Sequence, residues 1–420
     1  MSLKVKSKIR AVLLTLCFIL VCSIACAKKL EISFWHSLGF HAKKIIEDMT
    51  DEYNRIQGGV RVIPIYQGSF DEMQVKMLTV AIARQLPDLA QIQMEFMESF
   101  IQNELIEPIN EEIPDTDRQD VHPLLWKLVE RKGRIYGVPF CISTDVLFYN
   151  EDLFLKAGLD PDVPPGTWEE MIRFGKKLTR DTDGNGVPDT YAVMFWMYGL
   201  YGFAPLLWAN NGELFSEDGT RVVLTSEEMV KTVLMIRDLV FTHKIMPQKW
   251  SEWESGQAFL TGKLAMGWFS SSALTYGEEN FPWHLRTALL PLIDGVRFSS
   301  VGGSALVNFS KGKSRRRAVN DFMYWLVKKE NTIQLHKRIG FIPVRNSALN
   351  SIELKAFITQ NPNYRVPIEA LKNARPLPNH PEFYKINQEL REMLQRIILE
   401  SADPIQELRK TEKKINEMIQ

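Results

Sequence analysis

The stretch Leu30-Glu31-Ile32-Ser33-Phe34-Trp35-His36 alternates apolar and polar side chains, and Val60-Arg61-Val62-Ile63-Pro64-Ile65-Tyr66 forms a second, mostly apolar run. Between them Ile45, Ile46, Met49, Tyr53 and Ile56 recur on one helical face. A period near 3.6 between two strand-like runs marks a β-α-β unit. Working outward, the spacing predicts a helix over Met73–Arg84, with Val75, Met77, Leu78, Ala81 and Ile82, then a buried strand around Leu89–Gln93 after the Pro87-Asp88 turn. Beyond Gly137 the chain runs through Val138-Pro139-Phe140 into Val146-Leu147-Phe148-Tyr149, and capping boxes at Thr167/Glu170 and Thr225/Glu228 open new helices. After Leu290-Pro291-Leu292, a strand at Gly302-Gly303 leads to a helix carrying Val319, Phe322, Met323 and Leu326. A last helix places Phe383, Ile386, Leu390, Leu394 and Ile397 in register. Strands alternating with helices give an α/β fold class with two αβ units.

The 420 residues suit two domains, and 45% hydrophobic with 24% charged residues excludes disordered, collagen-like and coiled-coil chains. Lys plus Arg and Asp plus Glu number 51 each, so no polyanionic partner such as nucleic acid is indicated. Lys4, Lys6, Lys8 and Arg10 precede an apolar run from Ala11 to Cys22, and Ala25-Cys26-Ala27 supplies small residues for cleavage. Residues 1–27 therefore read as a signal peptide, which implies a periplasmic or otherwise extracytoplasmic location; lipid anchoring at Cys26 is the alternative. Cleavage after Ala27 leaves Cys141 as the single cysteine and no internal disulfide.

Catalytic patterns are missing: there is no Gly-x-Ser-x-Gly elbow, no His-Glu-x-x-His, no cysteine pair and no phosphate-cradling glycine loop. His36 and His41 lack a carboxylate at ligand spacing. Paired acids for glycoside hydrolysis stay open, because their separation is three-dimensional. Aromatic residues in polar, glycine-broken contexts are more informative. Trp35-His36 ends a strand, Phe195 to Gly199 and Tyr201 surround a glycine, and Trp250, Trp253 and Trp268 lie near turns. Sugar rings present flat C–H faces, so Trp35, Trp196 and Trp268 are expected as platforms for a carbohydrate. Asp181, Asp183, Asn185 and Asp189, with Gly184 and Gly186, resemble the start of a calcium loop, although Ala192 stands where the bidentate Glu belongs. No cofactor is required; structural calcium at those four residues is one expectation and a plain Asx-glycine turn is the other.

Several ordered segments resemble the bacterial extracellular solute-binding proteins, the sugar-binding family that serves ABC importers. These are Ile32-Ser-Phe-Trp-His-Ser37, Tyr66-Gln-Gly-Ser-Phe-Asp-Glu72, Gly137-Val-Pro-Phe140, Leu147-Phe-Tyr-Asn150, Pro164-Pro-Gly-Thr-Trp168, Phe259-Leu-Thr-Gly-Lys-Leu-Ala-Met266 and Gly340-Phe-Ile-Pro-Val-Arg345. The resemblance spans essentially the whole chain after residue 27 and is nearest to the glycerol-phosphate-binding branch. It implies a two-lobe periplasmic-binding-protein fold of type II, similar to maltose-binding protein, with a cleft between the lobes. The lobes implied are 28–142 with 291–342, and 143–290 with 343–420, crossing near Cys141–Asp145, Leu290–Pro291 and Phe341–Arg345.

The ligand contacts it implies are Trp35, His36, Phe70, Glu95 (or Met94), Ser143, Trp196, Trp268, Ser271, Gly303, Phe341 and Tyr384. Phe70 and Phe341 replace tyrosines of that branch, and Tyr384 stands where its phosphate-binding arginine would fall. A buried phosphate without a charge partner is costly, so the departure points to a neutral sugar or glycoside. The function implied is capture of a sugar, oligosaccharide or glycoside for a permease, without catalysis, with membrane contact only through that permease or a lipid anchor. Glycerol 3-phosphate or a glycerophosphodiester is the alternative ligand. A secreted glycoside hydrolase and a signalling receptor partner are more distant readings.

Overall fold

The computed structural model describes residues 29–195, 199–248 and 252–420. The expected signal peptide with Cys26, Trp196 and Trp250 lie outside the described residues. In chain order the strands are β1 (Leu30–His36), β2 (Val60–Tyr66), β3 (Leu89–Gln93), β4 (Glu130–Arg131), β5 (Arg134–Ile135), β6 (Val138–Asn150), β7 (Tyr191–Phe195), β8 (Leu264–Ser270), β9 (Leu285–Ala288), β10 (Ser299–Asn308) and β11 (Ala374–Pro376). β4 and β5 form a small hairpin. The others follow one path, β2-β1-β3-β10-β6-β8-β7, with β11 beside β10 and β9 beside β6.

The opening β-α-β unit forms as its periodicity dictates, except that Ile56 at the helix end is exposed. β1 pairs parallel with β2 and β3, and the helix Phe40–Ile56 buries Ile45, Ile46, Met49 and Tyr53. β10 then enters antiparallel between β3 and β6. The next helix runs Phe70–Ile82, earlier than the apolar spacing indicates, because Ser69 and Glu72 build a reciprocal capping box. Thr167 caps the helix Trp168–Leu178, with Glu170 accepting the Gly166 amide instead of closing the box, and the helix Glu227–Phe241 is capped by Ser226. Thr225 instead bonds Glu412 of the last helix.

Two apolar cores result. The first gathers Ile32, Phe34, Leu89, Phe140 and Ile142 with Val301, Leu306, Phe322 and Val344; the second gathers Val146, Phe148, Val193, Met266 and Leu290 with Tyr364, Ile386, Leu394 and Leu408. β6 belongs to both. Its residues Val138–Thr144 pair with β10, Asp145–Tyr149 with β8, and every one of its thirteen residues is buried. The second passage falls between Ile293 and Val301, later than Leu290–Pro291, because Ile293 still packs in the second core. The return falls between Val344 and Tyr364, and Leu371 packs back against the first core.

Where β6 leaves the first core the ladder slips by one residue: Gly303 opposes Ile142 and Ser304 opposes Phe140. The extra residue, Cys141, takes φ 51°. Such a bulge bends a strand and sharpens its twist. Its partner Gly303 has φ 132°, and a Cβ there would meet the Cys141 carbonyl oxygen at 2.2 Å, so only glycine fits.

Candidate functional site

That bend forms the floor of a cavity of about 480 Å3 between the two cores, within the usual range of ligand pockets. From the first core it receives Ser69, Phe70 and Asp71 at a helix start, Gln93, Glu95 and Phe96 after β3, and Phe341; Cys141, Ser143 and Gly303 come from the bent strands. The second core supplies Tyr201, Ser270, Ser272 and Leu377, with Phe383, Tyr384, Asn387, Gln388 and Arg391 from the helix Phe383–Ile398. Phe96 meets Phe383 and Tyr384 edge-on, with centroids 6.4 and 5.9 Å away, so the two walls touch.

Six of the residues implied by sequence meet here: Phe70, Glu95, Ser143, Gly303, Phe341 and Tyr384. Glu95, rather than Met94, is the acidic one; Met94 is buried in the first core. Glu95 and Tyr201 crowd over Gly302, where a Cβ would sit 3.0 Å from Glu95 Oε1 and 3.2 Å from Tyr201 Cε2. Burial raises the Glu95 pKa to about 7 despite the positive charge of Arg131, a poise that lets the carboxyl accept or donate a hydrogen bond near neutral pH. The Tyr201 hydroxyl lies 3.1 Å from Ser143 Oγ and donates to the Ser143 carbonyl at 3.2 Å. Ser300 Oγ donates to the Tyr201 carbonyl at 2.7 Å. Burial, with the nearby Asp145 carboxyl, pushes the Tyr201 phenol up. Asp145, enclosed in β6 behind this contact, is itself shifted well above the usual carboxylate range by desolvation.

Four expected contacts lie elsewhere. Trp268, 3% exposed, sits on β8 between Leu147 and Phe195 and meets Trp168 edge-on at 6.3 Å; it packs the second core and is not a platform in this cavity. The glycine and serines around it look like a loop, but both flanking strands bury it. Trp35 is half-buried against the first core beside Ile65 and Ala90. His36, 1% exposed, packs against Phe34 and Tyr66, and burial lowers its pKa to about 4. Ser271 is wholly buried, its Oγ 3.4 Å from the Thr144 amide. Its neighbours Ser270 and Ser272 line the cavity instead, because the chain turns there into a short 3-10 helix.

Tyr201, one of the aromatics of the glycine-broken stretch, joins the cavity, and the residues not anticipated are chiefly Asn387, Gln388 and Arg391. Helical spacing carried the signal: 384, 388 and 391 share one face. Arg391 brings a guanidinium to the border of the cavity, about two turns further along the helix than Tyr384.

The acidic loop before β7 is separate from the cleft. Asp181, Asp183 and Asp189 each bring one oxygen into a group within 4.8 Å of one another. Gly184 and Gly186 amides donate to Asp181 at 2.8 Å, and the Thr182 amide to Asp189 at 2.7 Å. The glycine amides hold Asp181, and the Thr182 hydroxyl with its amide holds Asp189, below the usual carboxylate range. Asn185 spends its carbonyl on the Val187 amide and donates to Asp183. The donor set is all-oxygen and hard, which fits calcium chemically, while the glycine turn closes on its own hydrogen bonds.

Residues 48–365 match the family model described as bacterial extracellular solute-binding protein. A relative from Pectobacterium atrosepticum, the sn-glycerol-3-phosphate-binding periplasmic protein UgpB, is 26% identical over 374 residues, covering 83% of this chain and 81% of the relative. The cyclic α-maltosyl-1,6-maltose binding protein of Arthrobacter globiformis superposes with a TM-score of 0.80 at 21% identity, over 93% of this chain and 99% of that one. UgpB of Mycobacterium tuberculosis, solved with glycerophosphocholine, gives 0.81 at 21% identity, over 93% and 98%. These structural likenesses establish the two-lobe fold, similar to that of maltose-binding protein, and with the family match over most of the chain they place this protein among the bacterial extracellular solute-binding proteins, the capture components of ABC importers.

Proposed function

We propose that the protein takes a small neutral sugar or glycoside into the cleft outside the cytoplasm, closes on it by bending at β6 and β10, and passes it intact to a membrane permease. The supporting observation is one cavity walled by both lobes, in which aromatic rings alternate with hydrogen-bonding groups. Phe70, Phe96, Tyr201, Phe341, Phe383 and Tyr384 offer faces and edges to sugar C–H groups; Ser143, Ser270, Ser272, Glu95 and Asn387 meet hydroxyls. A ligand touching both walls favours the closed arrangement by the difference in its affinity for the two forms. Among the described residues the carboxyls lining the cavity are Asp71 and Glu95, both from the first lobe. A panel of sugars should contain one that raises Tm and is recovered unchanged by mass spectrometry; a saturating ligand at a hundredfold excess over Kd stabilises by about 2.7 kcal/mol. Hydrolysed sugar accumulating with time and protein would overturn the reading.

Arg391 supports a second reading, glycerol 3-phosphate or a glycerophosphodiester, the first being the ligand named for the Pectobacterium relative. A guanidinium can pair a phosphate with two hydrogen bonds. Submicromolar, salt-sensitive binding of glycerol 3-phosphate that disappears in Arg391→Gln would replace the sugar reading; binding no better than that of a glycerol glycoside would retain it. The acidic loop adds a structural calcium site to the reading, supported by its converging carboxylates. Millimolar calcium should raise Tm in wild type and not in Asp181→Asn; an equal response in both leaves the loop a turn.

A further inference from the structure

A second cavity, of about 350 Å3, lies wholly in the second lobe along β9 and shares no lining residue with the cleft. One wall is apolar, formed by Pro161, Pro164, Pro165, Pro362 and Val366. Its rim is fixed in advance: the Thr287 amide donates to Asn363 Oδ1 at 3.0 Å and Asn363 Nδ2 donates to the Leu285 carbonyl at 2.9 Å, so this side chain caps β9. Three arginines border the space, and two are already neutralised. Arg286 Nε is 2.5 Å from Glu151 and its Nη2 is 3.1 Å from Asp162, while Arg365 lies 3.3 Å from Glu369.

Arg297 differs. It is half-buried, and among the described residues no carboxylate stands at ion-pairing distance from it. Its Nη2 donates at 3.3 Å to the Gly166 carbonyl, which also accepts the Leu292 amide, and its Nε is enclosed without an acceptor. A cation partly withdrawn from water with one long hydrogen bond is costly unless an anion joins it. Burial already presses the Arg297 pKa downward.

We propose that this cavity is a second ligand site, taking a small aliphatic monocarboxylate whose head pairs with Arg297 and whose chain lies on the proline wall. One unpaired guanidinium matches one negative charge, and the flanking Asp162 and Glu369 disfavour a dianion such as phosphate. At constant ionic strength, hexanoate should bind wild type by calorimetry and raise its Tm, whereas hexanol and inorganic phosphate should not. Arg297→Gln should weaken hexanoate at least tenfold. The amide resonances of Gly166, Thr287 and Asn363 should move in wild type, which decides the matter even if the variant folds poorly. Equal binding by hexanol, an unchanged affinity in a folded Arg297→Gln, or shifts confined to the cleft around Ser143 and Tyr201 would overturn the proposal. The cleft's own ligand does not enter this outcome.

Discussion

Glu95 shows how placement converts an ordinary carboxyl into a reporter of the cavity. Its folded pKa, about 7, is raised from 4.5, so the native state binds the proton more tightly than the unfolded chain. The group's contribution is therefore fully present below about pH 4.5 and is lost as pH rises through 7. Glu95→Gln, which never ionises, should be more stable than wild type at pH 8 by on the order of 1–3 kcal/mol, with the gap closing at pH 4.5. Urea unfolding at the two pH values measures it; a gap independent of pH would mean that water reaches the carboxylate freely. Trp268 supplies the opposite lesson. Trp268→Ala should cost about 3–5 kcal/mol of stability and leave ligand affinity per folded molecule within twofold. Sequence context misplaced this ring because burial from neighbouring strands is a tertiary property. Helical spacing from Tyr384 places Arg391 on the same face, and Ser271 missed the cavity by one position because a 3-10 turn shifts which serine faces inward.

Among the elements, the bent pair β6 and β10 joins the two cores and is the proposed hinge, and its chemistry is concentrated in Cys141 and Gly303. An alanine at 303 would have to hold φ 132° and clear a carbonyl oxygen 2.2 Å away. Backbone strain of this kind costs about 1–3 kcal/mol before the clash is counted, so Gly303→Ala should lose at least that in urea unfolding and bind ligand more weakly. A loss under about 0.5 kcal/mol, at the level of an ordinary surface change, would mean that the bulge can relax and is not the pivot. The opening β-α-β unit and the helices at Trp168 and Phe383 were readable from periodicity and capping residues, whereas β8, whose Trp268 reads as a residue near a turn, was not. The bulge was not: nothing in Phe140-Cys141-Ile142 announces a left-handed residue, and the need arises only once β10 lies alongside.

At the scale of the whole molecule, each core is assembled from separated stretches of chain. β10 sits between β3 and β6, yet Ser304 pairs with Gln93 and Phe140 across long intervals of sequence. Until β10 is available, β3 and the first half of β6 have no common neighbour and Gly303 cannot close the bend. Non-local pairing of this sort slows folding, because loop-closure entropy is spent before contacts reward it. A chain ending at residue 298 should therefore leave its first lobe open to protease, while the full chain resists; a protected first lobe in the shorter chain would mean that β3 and β6 pair without the intervening strand. A ribosome would accordingly release about three quarters of the sequence before the first lobe could lock.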